Sequence, residues 1–498
     1  MKMRKSLLKQ NIEYIIDQVG DKSSITLKEF IIGKQNRIEA ALLYTKSLVN
    51  QDIIDRDILT PLMLQVDDPF NADYEPVEFI CKKYIVAANT TIHSDTQNAI
   101  EAVKSGNTVI LIGDYKTFIV VETADNISRS ISEPPNESAI KGTREGFIEN
   151  LDTNIGILRR NIKDKNFSIE YFTVGRRTQT KLAIVYISDI VDDNILQEIR
   201  KRINSVDIGS VLDNGTFKQY IEDSPFSPFP QIYGTERPDT VTSNILEGRV
   251  ALILDRSPYV LTIPAIFTEF FQAVEDYNER TLNASFARLL RFMTIPITIT
   301  LPSLYLTLLI YNVELIPIKL ISPIIESRQG IYLSPFLEIL SMELVIEFLR
   351  EGGLRLPPKV AQTLSIVGGI IIGNTAVQSR VVSPTTLLIV GITTVSTFLV
   401  QNYEMSLSIR SLRFPMLVLA NALGFLGIAA GWFFLITHLM SMESFTAEYF
   451  KVTNKDMKDT LIRAPLWTMD KRPDAIPNKN SVRMTSTWSG FRRKKNDK

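Results

Sequence analysis

The chain has 498 residues, 45% of them apolar, with 55 basic and 55 acidic side chains; its length calls for two or more domains, and its neutrality gives no argument for nucleic acid. The single Cys81 and the two histidines, His93 and His438, exclude an intrachain disulfide and a Cys/His zinc site of the usual kind, leaving Cys81 as a buried small hydrophobe and His438 as an interfacial residue. Only 26 of the 110 charged side chains fall between Ala251 and Phe450, so long uncharged stretches must lie in the second half.

The opening "MKMRKSLLKQ" is basic but runs into polar and acidic residues, so no cleavable leader is expected and the first half is expected to stay in the cytoplasm. Residues 1–245 read as a soluble α+β region, with a division into two lobes near Pro134 and Pro135. "NTVILIGD" (Asn107–Asp114) and "KTFIVVET" (Lys116–Thr123) are rich in β-branched residues and meet near Gly113 and Asp114, which predicts a hairpin. "SIEYFTVGRRTQTKLAIVYISD" predicts a second hairpin, turning after Gly175. In "DDNILQEIRKRI", Ile195, Leu196, Ile199 and Ile203 share one helical face, and Asp192 and Asp193 are placed to cap its start.

No catalytic constellation stands out in this half. Glu145, Glu149 and Asp152 in "EGFIENLDTN" have a spacing that suits metal binding or proton transfer. No histidine, serine-nucleophile motif or glycine-rich loop accompanies them, and a solvated helix face is the preferred reading. Arg159 and Arg160 could pair with that face or with a partner, and "GKQNR" at Gly33 lacks the rest of a phosphate loop. The sequence therefore predicts no enzyme, no cofactor and no metal.

Residues 246–285 read as a juxtamembrane connector. Upstream, Pro225, Pro228, Pro230 and Pro238 favour extended chain, while "VALILD" and "YVLTIPAIF" are each too short to span a bilayer and suit a strand pair or a segment lying against the membrane. Residues 286–440 then hold four stretches without Asp, Glu, Lys or Arg: Phe292–Val313, Val360–Ser379, Val381–Val400 and Phe414–Thr437. A helix crossing the hydrocarbon core needs about 20 mostly apolar residues. The expectation is an all-α polytopic membrane domain with about four full spans plus one partial segment, "PFLEILSMELVIEFLRE" (Pro335–Glu351). Its acids Glu338, Glu343 and Glu347 should face water, protein or a cation path, or form the wet face of an interfacial helix. Residues 441–498 read as a solvated basic tail: after Phe450 it holds 13 Lys or Arg against 5 Asp or Glu, which favours the cytoplasm and contact with anionic lipid. With both ends cytoplasmic, the number of spans must be even.

Within "QTLSIVGGIIIGNTAVQS", Gly369 and Gly373 lie four apart and Ala376 extends their small face, which permits close helix packing. Thr363, Val367, Ile371, Asn374 and Gln378 form another stripe, roughly opposite the glycines at about 100° per residue. Two alternatives fit that stripe: a pore lining, in which amides hydrate ions and branched side chains close the path by dewetting, or a packing face whose amides bond neighbouring helices.

"SPFPQ", "ERPD", "EGRVA", "FTEFFQAVEDY", "GGLRLP", "QTLSIVGGIIIG" and "RSLRFP", together with the upstream "SISEPPNESAIKGTREGFIENLDTNIGILRR", occur in an order that resembles the A subunit of the GerA family of bacterial spore germination receptors. The likeness covers most of residues 108–440 and departs from the family at Arg256, where a glycine is usual, at Asn278, where a second tyrosine is common, and at Arg380, where a small residue is usual. The resemblance implies a multi-pass subunit of a nutrient receptor in the spore inner membrane. It implies a transporter-like B subunit and a lipoprotein C subunit as partners, with nutrient binding chiefly in the B subunit, and homo-oligomerisation into a ligand-gated ion channel. A membrane-anchored sensor without a pore and a secondary transporter are the competing readings, the latter lacking the internal repeat of spans that such proteins usually show.

Overall fold

The computed structural model describes residues 7–19, 25–33, 37–66, 76–124, 134, 137, 141–451 and 456–484; in the helix at 358–378 the side chains of residues 358–359 and 361–368 lie outside that set. Two units emerge from the packing. An α/β unit is drawn from Met1–Glu222, Ile232–Pro264 and Ile476–Ser481, and a helical unit from Asp223–Gln231, Ala265–Ala475 and Val482–Lys498.

The α/β unit uses one supersecondary plan twice. Helix α1 (Leu7–Val19) is followed by strands β1 (Ile25–Ile32) and β2 (Ile38–Thr45), helix α2 (Pro76–Tyr84), strand β3 (Thr90–His93), helix α3 (Thr96–Lys104) and strands β4 (Thr108–Ile112) and β5 (Phe118–Val121). The second pass runs through α4 (Leu151–Asn161), β6 (Phe167–Val174), β7 (Thr180–Ile187), α5 (Asp193–Ser205), α6 (Asn214–Ile221), β8 (Tyr233–Thr235), α7 (Pro238–Leu246), β9 (Val250–Leu254) and β10 (Val260–Ile263). The antiparallel sheets have the orders β1-β2-β4-β5-β3 and β6-β7-β9-β10-β8, which coincide when five is added to each strand number of the first.

Both expected hairpins form, β4 with β5 and β6 with β7, and Gly113 and Gly175 take the positive φ that their turns require. Helix α5 is capped as its sequence predicts: the Asp192 carboxylate accepts from the Asn194 and Ile195 amides at 2.9 and 3.4 Å, and Ile195, Leu196, Ile199 and Ile203 are buried. The central strands are apolar without a break because they are covered on both faces. In β2, Ala40, Leu42 and Tyr44 enter one core, whereas Ala41 and Leu43 enter another beneath α1 and α3. The short runs "VALILD" and "YVLTIPAIF" supply the strand pair β9–β10. The turn between them holds Arg256 at φ +69°, a backbone position that glycine adopts at less cost.

The helical unit comprises α8 (Thr281–Ile310), α9 (Ile318–Arg328), α10 (Pro335–Leu354), α11 (Pro358–Gln378), α12 (Pro384–Thr397), α13 (Tyr403–Leu423) and α14 (Phe425–Ser441). Tyr305 and Leu306 of α8, Ile339 and Met342 of α10, Val390 of α12 and Leu417 of α13 share one core. Among the described residues, α8 is the one helix long and apolar enough to cross a membrane by itself, while α12 and α14 are shorter apolar helices. The uncharged stretch Phe414–Thr437, expected as one span, is not one helix. Gly424, at φ +61°, ends α13 and starts α14, and the two helices fold back on each other. A Cβ at Gly427 would lie 2.0 Å from the Leu419 carbonyl oxygen, so the reversal depends on glycine's missing side chain.

The tail also differs from its expected solvated state. Phe445, Ala447 and Tyr449 are buried, and the Tyr449 amide donates to the Met442 carbonyl while the Phe267 amide donates to that of Tyr449. Apolar residues spaced between the charges make this possible. The terminal "FRRKKNDK" and Pro135 lie outside the described residues.

Candidate functional site

Helix α11 packs along α10, and most of its described residues from Gly369 to Gln378 are exposed or half-buried. Ile371 is 57% exposed, Asn374 and Gln378 are exposed, and the side chains of Thr363 and Val367 lie outside the described residues. A Cβ at Gly369 would meet nothing within 4 Å, whereas one at Gly373 would touch Leu387 at 3.6 Å, and Ala376 packs against the helical core. The proline pair before α11 starts it cleanly, Pro358 occupying a first-turn position where no amide donor is needed. Arg380 follows the helix at φ +55°.

Beside this helix lies a set of charged side chains that were excluded from water on folding. Glu338, at the first turn of α10, accepts from the Ser383 amide and from Arg328, each at 2.6 Å. The Ser383 residue caps α12, so the carboxylate sits where the helix dipole favours an anion. One turn and more further along α10, Glu343 forms an ion pair with Arg413, and Glu347 pairs with Arg413 at 2.6 Å and Arg410 at 3.3 Å. Arg350 donates to Thr397 at 3.0 Å and lies 5.0 Å from the Phe398 ring centroid. The three predicted acids are therefore brought together with four arginines that sequence reading did not assign. A signal existed: Glu343 and Glu347 are spaced i,i+4 and Arg410 and Arg413 i,i+3, so each pair occupies one helix face in an otherwise apolar neighbourhood.

A second buried set stands at the start of α8. Asp276 receives Arg288 Nε at 2.8 Å and Arg291 Nη1 at 2.8 Å, and Arg288 also reaches Asp459 at 2.8 Å. Arg463 donates to the Tyr277 carbonyl and the Thr281 hydroxyl. Two arginines one helical turn apart had no assigned role in the sequence, and their acids come from segments 12 and 171 residues away from Arg288.

In the α/β unit, Glu137 takes hydrogen bonds from the Thr235 hydroxyl and the Glu236 amide, while Arg237 holds the Glu137 carbonyl at 3.1 Å. Burial pushes its carboxyl up to about 7, against the lowering effect of those two donors. Glu145 meets Arg160 at 3.6 Å, and Asp152 lies in the first turn of α4, so that acidic run is shared between an ion pair and a helix start. Among the described residues no cluster of His, Cys, Asp and Glu has a metal-holding arrangement.

The chain thus joins a repeated α/β unit to a helical unit with buried ion pairs, in which, among the described residues, one helix is long and apolar enough to cross a membrane. Residues 13–475 match the family described as "Bacillus/Clostridium GerA spore germination protein", and the chain belongs to that family of spore germination receptor A subunits. It is 34% identical over 480 residues to spore germination protein KA of Bacillus subtilis (strain 168), covering 96% of this chain and 88% of that one. Spore germination protein B1 of the same organism is also 34% identical over 480 residues, with 96% and 98% covered. The crystal structure of the N-terminal domain of the A subunit of the Bacillus megaterium spore germinant receptor GerK3 is 31% identical, covers 53% of this chain and 96% of its own, and superposes with a TM-score of 0.40. Family membership gives the chain a germination role and implies a spore membrane location.

Proposed function

We propose that this chain is the A subunit of a nutrient receptor in the spore inner membrane, that copies of it associate, and that α11 lines a ligand-gated ion channel. The single observation that carries the reading is the uncovered surface of α11: Ile371, Asn374 and Gln378 on one side and the open backbone at Gly369 on another. A helix with exposed amides on one face suits water in a pore, and the open backbone at Gly369 leaves room for a neighbouring copy, while Gly373 and Ala376 pack within the chain. In this arrangement Thr363, Val367, Ile371, Asn374 and Gln378 line the path, and Ile371 forms a dewetting constriction. The chain crosses the membrane an even number of times with both ends cytoplasmic, and it works with a transporter-like B subunit and a lipoprotein C subunit. It carries out no catalytic step in this reading.

Ion flux from liposomes containing the purified protein tests the reading. Ile371→Ala is expected to raise the flux and Ile371→Trp to block it. Flux unaltered by either change, with partner subunits and nutrient present, would replace the channel with a membrane-anchored sensor.

A further inference from the structure

The segment Asp223–Gln231 is packed in the helical unit, although the chain on both sides of it belongs to the α/β unit. Pro225, Pro228 and Pro230 cannot donate backbone hydrogen bonds and fix φ, which stiffens the segment and leaves its carbonyls for other donors. Those donors are side chains. Ser408 of α13 donates to the Pro228 carbonyl, Tyr449 to that of Pro230 at 2.6 Å and Ser444 to that of Gln231 at 2.7 Å. The Phe445 amide donates to Asp223 at 2.8 Å, and Ser227 Oγ lies 2.9 Å from His438 Nε2 near the end of α14. Inside the segment, Gln231 closes a ring by accepting from the Asp223 and Ser224 amides and donating to the Ser224 carbonyl. It is therefore a preformed strap held at several points.

Its hold on α13 has a consequence. Ser408 precedes Arg410 and Arg413 by less than two helical turns, and those arginines bind Glu343 and Glu347 of α10, which packs along α11. In that ionic set Arg413 is shared between Glu343 and Glu347, and Glu347 between Arg413 and Arg410. Shared charges of this kind can be paired in more than one way, which makes the set a candidate two-state element.

We propose that the Asp223–Gln231 strap is the coupling element between the two units. A shift at either of its ends moves α13 through Ser408, and the arginines of α13 pass the shift to α10 and α11. The inference rests on the receptor reading and assigns Ser408 and Tyr449 as positioning residues for signalling.

The test uses spores whose only nutrient receptor contains this chain, compared at equal receptor level. Ser408→Ala and Tyr449→Phe should each raise the nutrient concentration for half-maximal germination by about tenfold, the equivalent of one hydrogen bond of about 1.4 kcal/mol. Ser408→Thr, which keeps the hydroxyl, should return it to the wild-type value. An unchanged half-maximal concentration in both variants, or germination that falls only in proportion to receptor level, would overturn the proposal. A shift in these variants together with no leak from Ile371→Ala liposomes would remove the pore and support the strap.

Discussion

The two units differ in how deeply they bury both partners of an ion pair. In the α/β unit several ion pairs stand in water, as with Arg176 and Asp207 at 72% and 61% exposed, while Arg237 and Arg249 keep buried guanidinium groups beside the more accessible Asp239 and Glu247. In the helical unit the corresponding figures are 0% and 2% for Arg288 and Asp276, and 3% and 2% for Arg413 and Glu343. Exposed pairs gain little because water already solvates both partners, whereas a buried pair has surrendered that solvation and depends on its partner to replace it. The scarcity of charge between Ala251 and Phe450 thus goes with a greater dependence on each charge that remains.

The comparison breaks most easily at Arg288. Arg288→Met should leave Asp459 without its arginine and Asp276 with Arg291 alone, and should destabilise the helical unit by about 3–5 kcal/mol, the usual result of removing one partner from a buried pair. Thermal unfolding of the full chain in detergent measures it. Arg176→Ala is the matched control in the α/β unit and should leave the unfolding midpoint unchanged. Equal effects from the two would show that the buried set is as well solvated as the exposed one, and the contrast between the units would fail.

Glu137 is a largely buried acid of the α/β unit, beside the buried Arg237, and it sharpens the contrast through pH. Its folded carboxyl, near 7, lies above the usual 4.5, so between those values the folded state holds a proton that the unfolded chain has released. The stabilisation is complete below the unfolded value and is lost as pH rises through about 7. Unfolding of the α/β unit should therefore become easier by on the order of 3 kcal/mol between pH 4 and pH 8 from this group. Glu137→Gln should flatten that part of the pH profile. A profile as steep in the variant as in the wild type would assign the dependence to other groups.

Legibility in the sequence follows the same division. Elements of the α/β unit announce themselves locally, because β-branched runs, turn glycines and an aspartate before an amphipathic helix act within a few residues of one another. The duplicated sheet order does not, since it is defined by which strands pair across long stretches of chain. In the helical unit, uncharged stretches identify apolar helices but not their ends: Phe414–Thr437 reads as continuous until Gly424 turns it, and only the packed Gly427 shows why. The acids Glu338, Glu343 and Glu347 are visible as out of place in an apolar helix. Their arginine partners lie up to 70 residues away, as with Glu343 and Arg413, and could be joined to them only by the fold.

The smallest expected effect tests whether local rules suffice in the α/β unit. Asp192 and Asn150 cap α5 and α4, each accepting from backbone amides of the first turn, and both caps lie at exposed helix starts. Replacing either by Ala removes one acceptor from a helix whose first amides have no internal partner, a loss of about 1 kcal/mol. Asp192→Asn keeps the acceptor and removes the charge, so it should retain most of the stability if the hydrogen bond rather than the helix dipole dominates. The two alanine changes sit in different helices and should add, because separated sites without shared partners act independently. Denaturant unfolding followed in the full chain would report both the single changes and the pair. A cost for Asp192→Ala as large as that of Arg288→Met would mean that this cap is tied into the core beyond its own helix turn, and the local reading of the α/β unit would have to be abandoned at the position where the sequence stated it most directly.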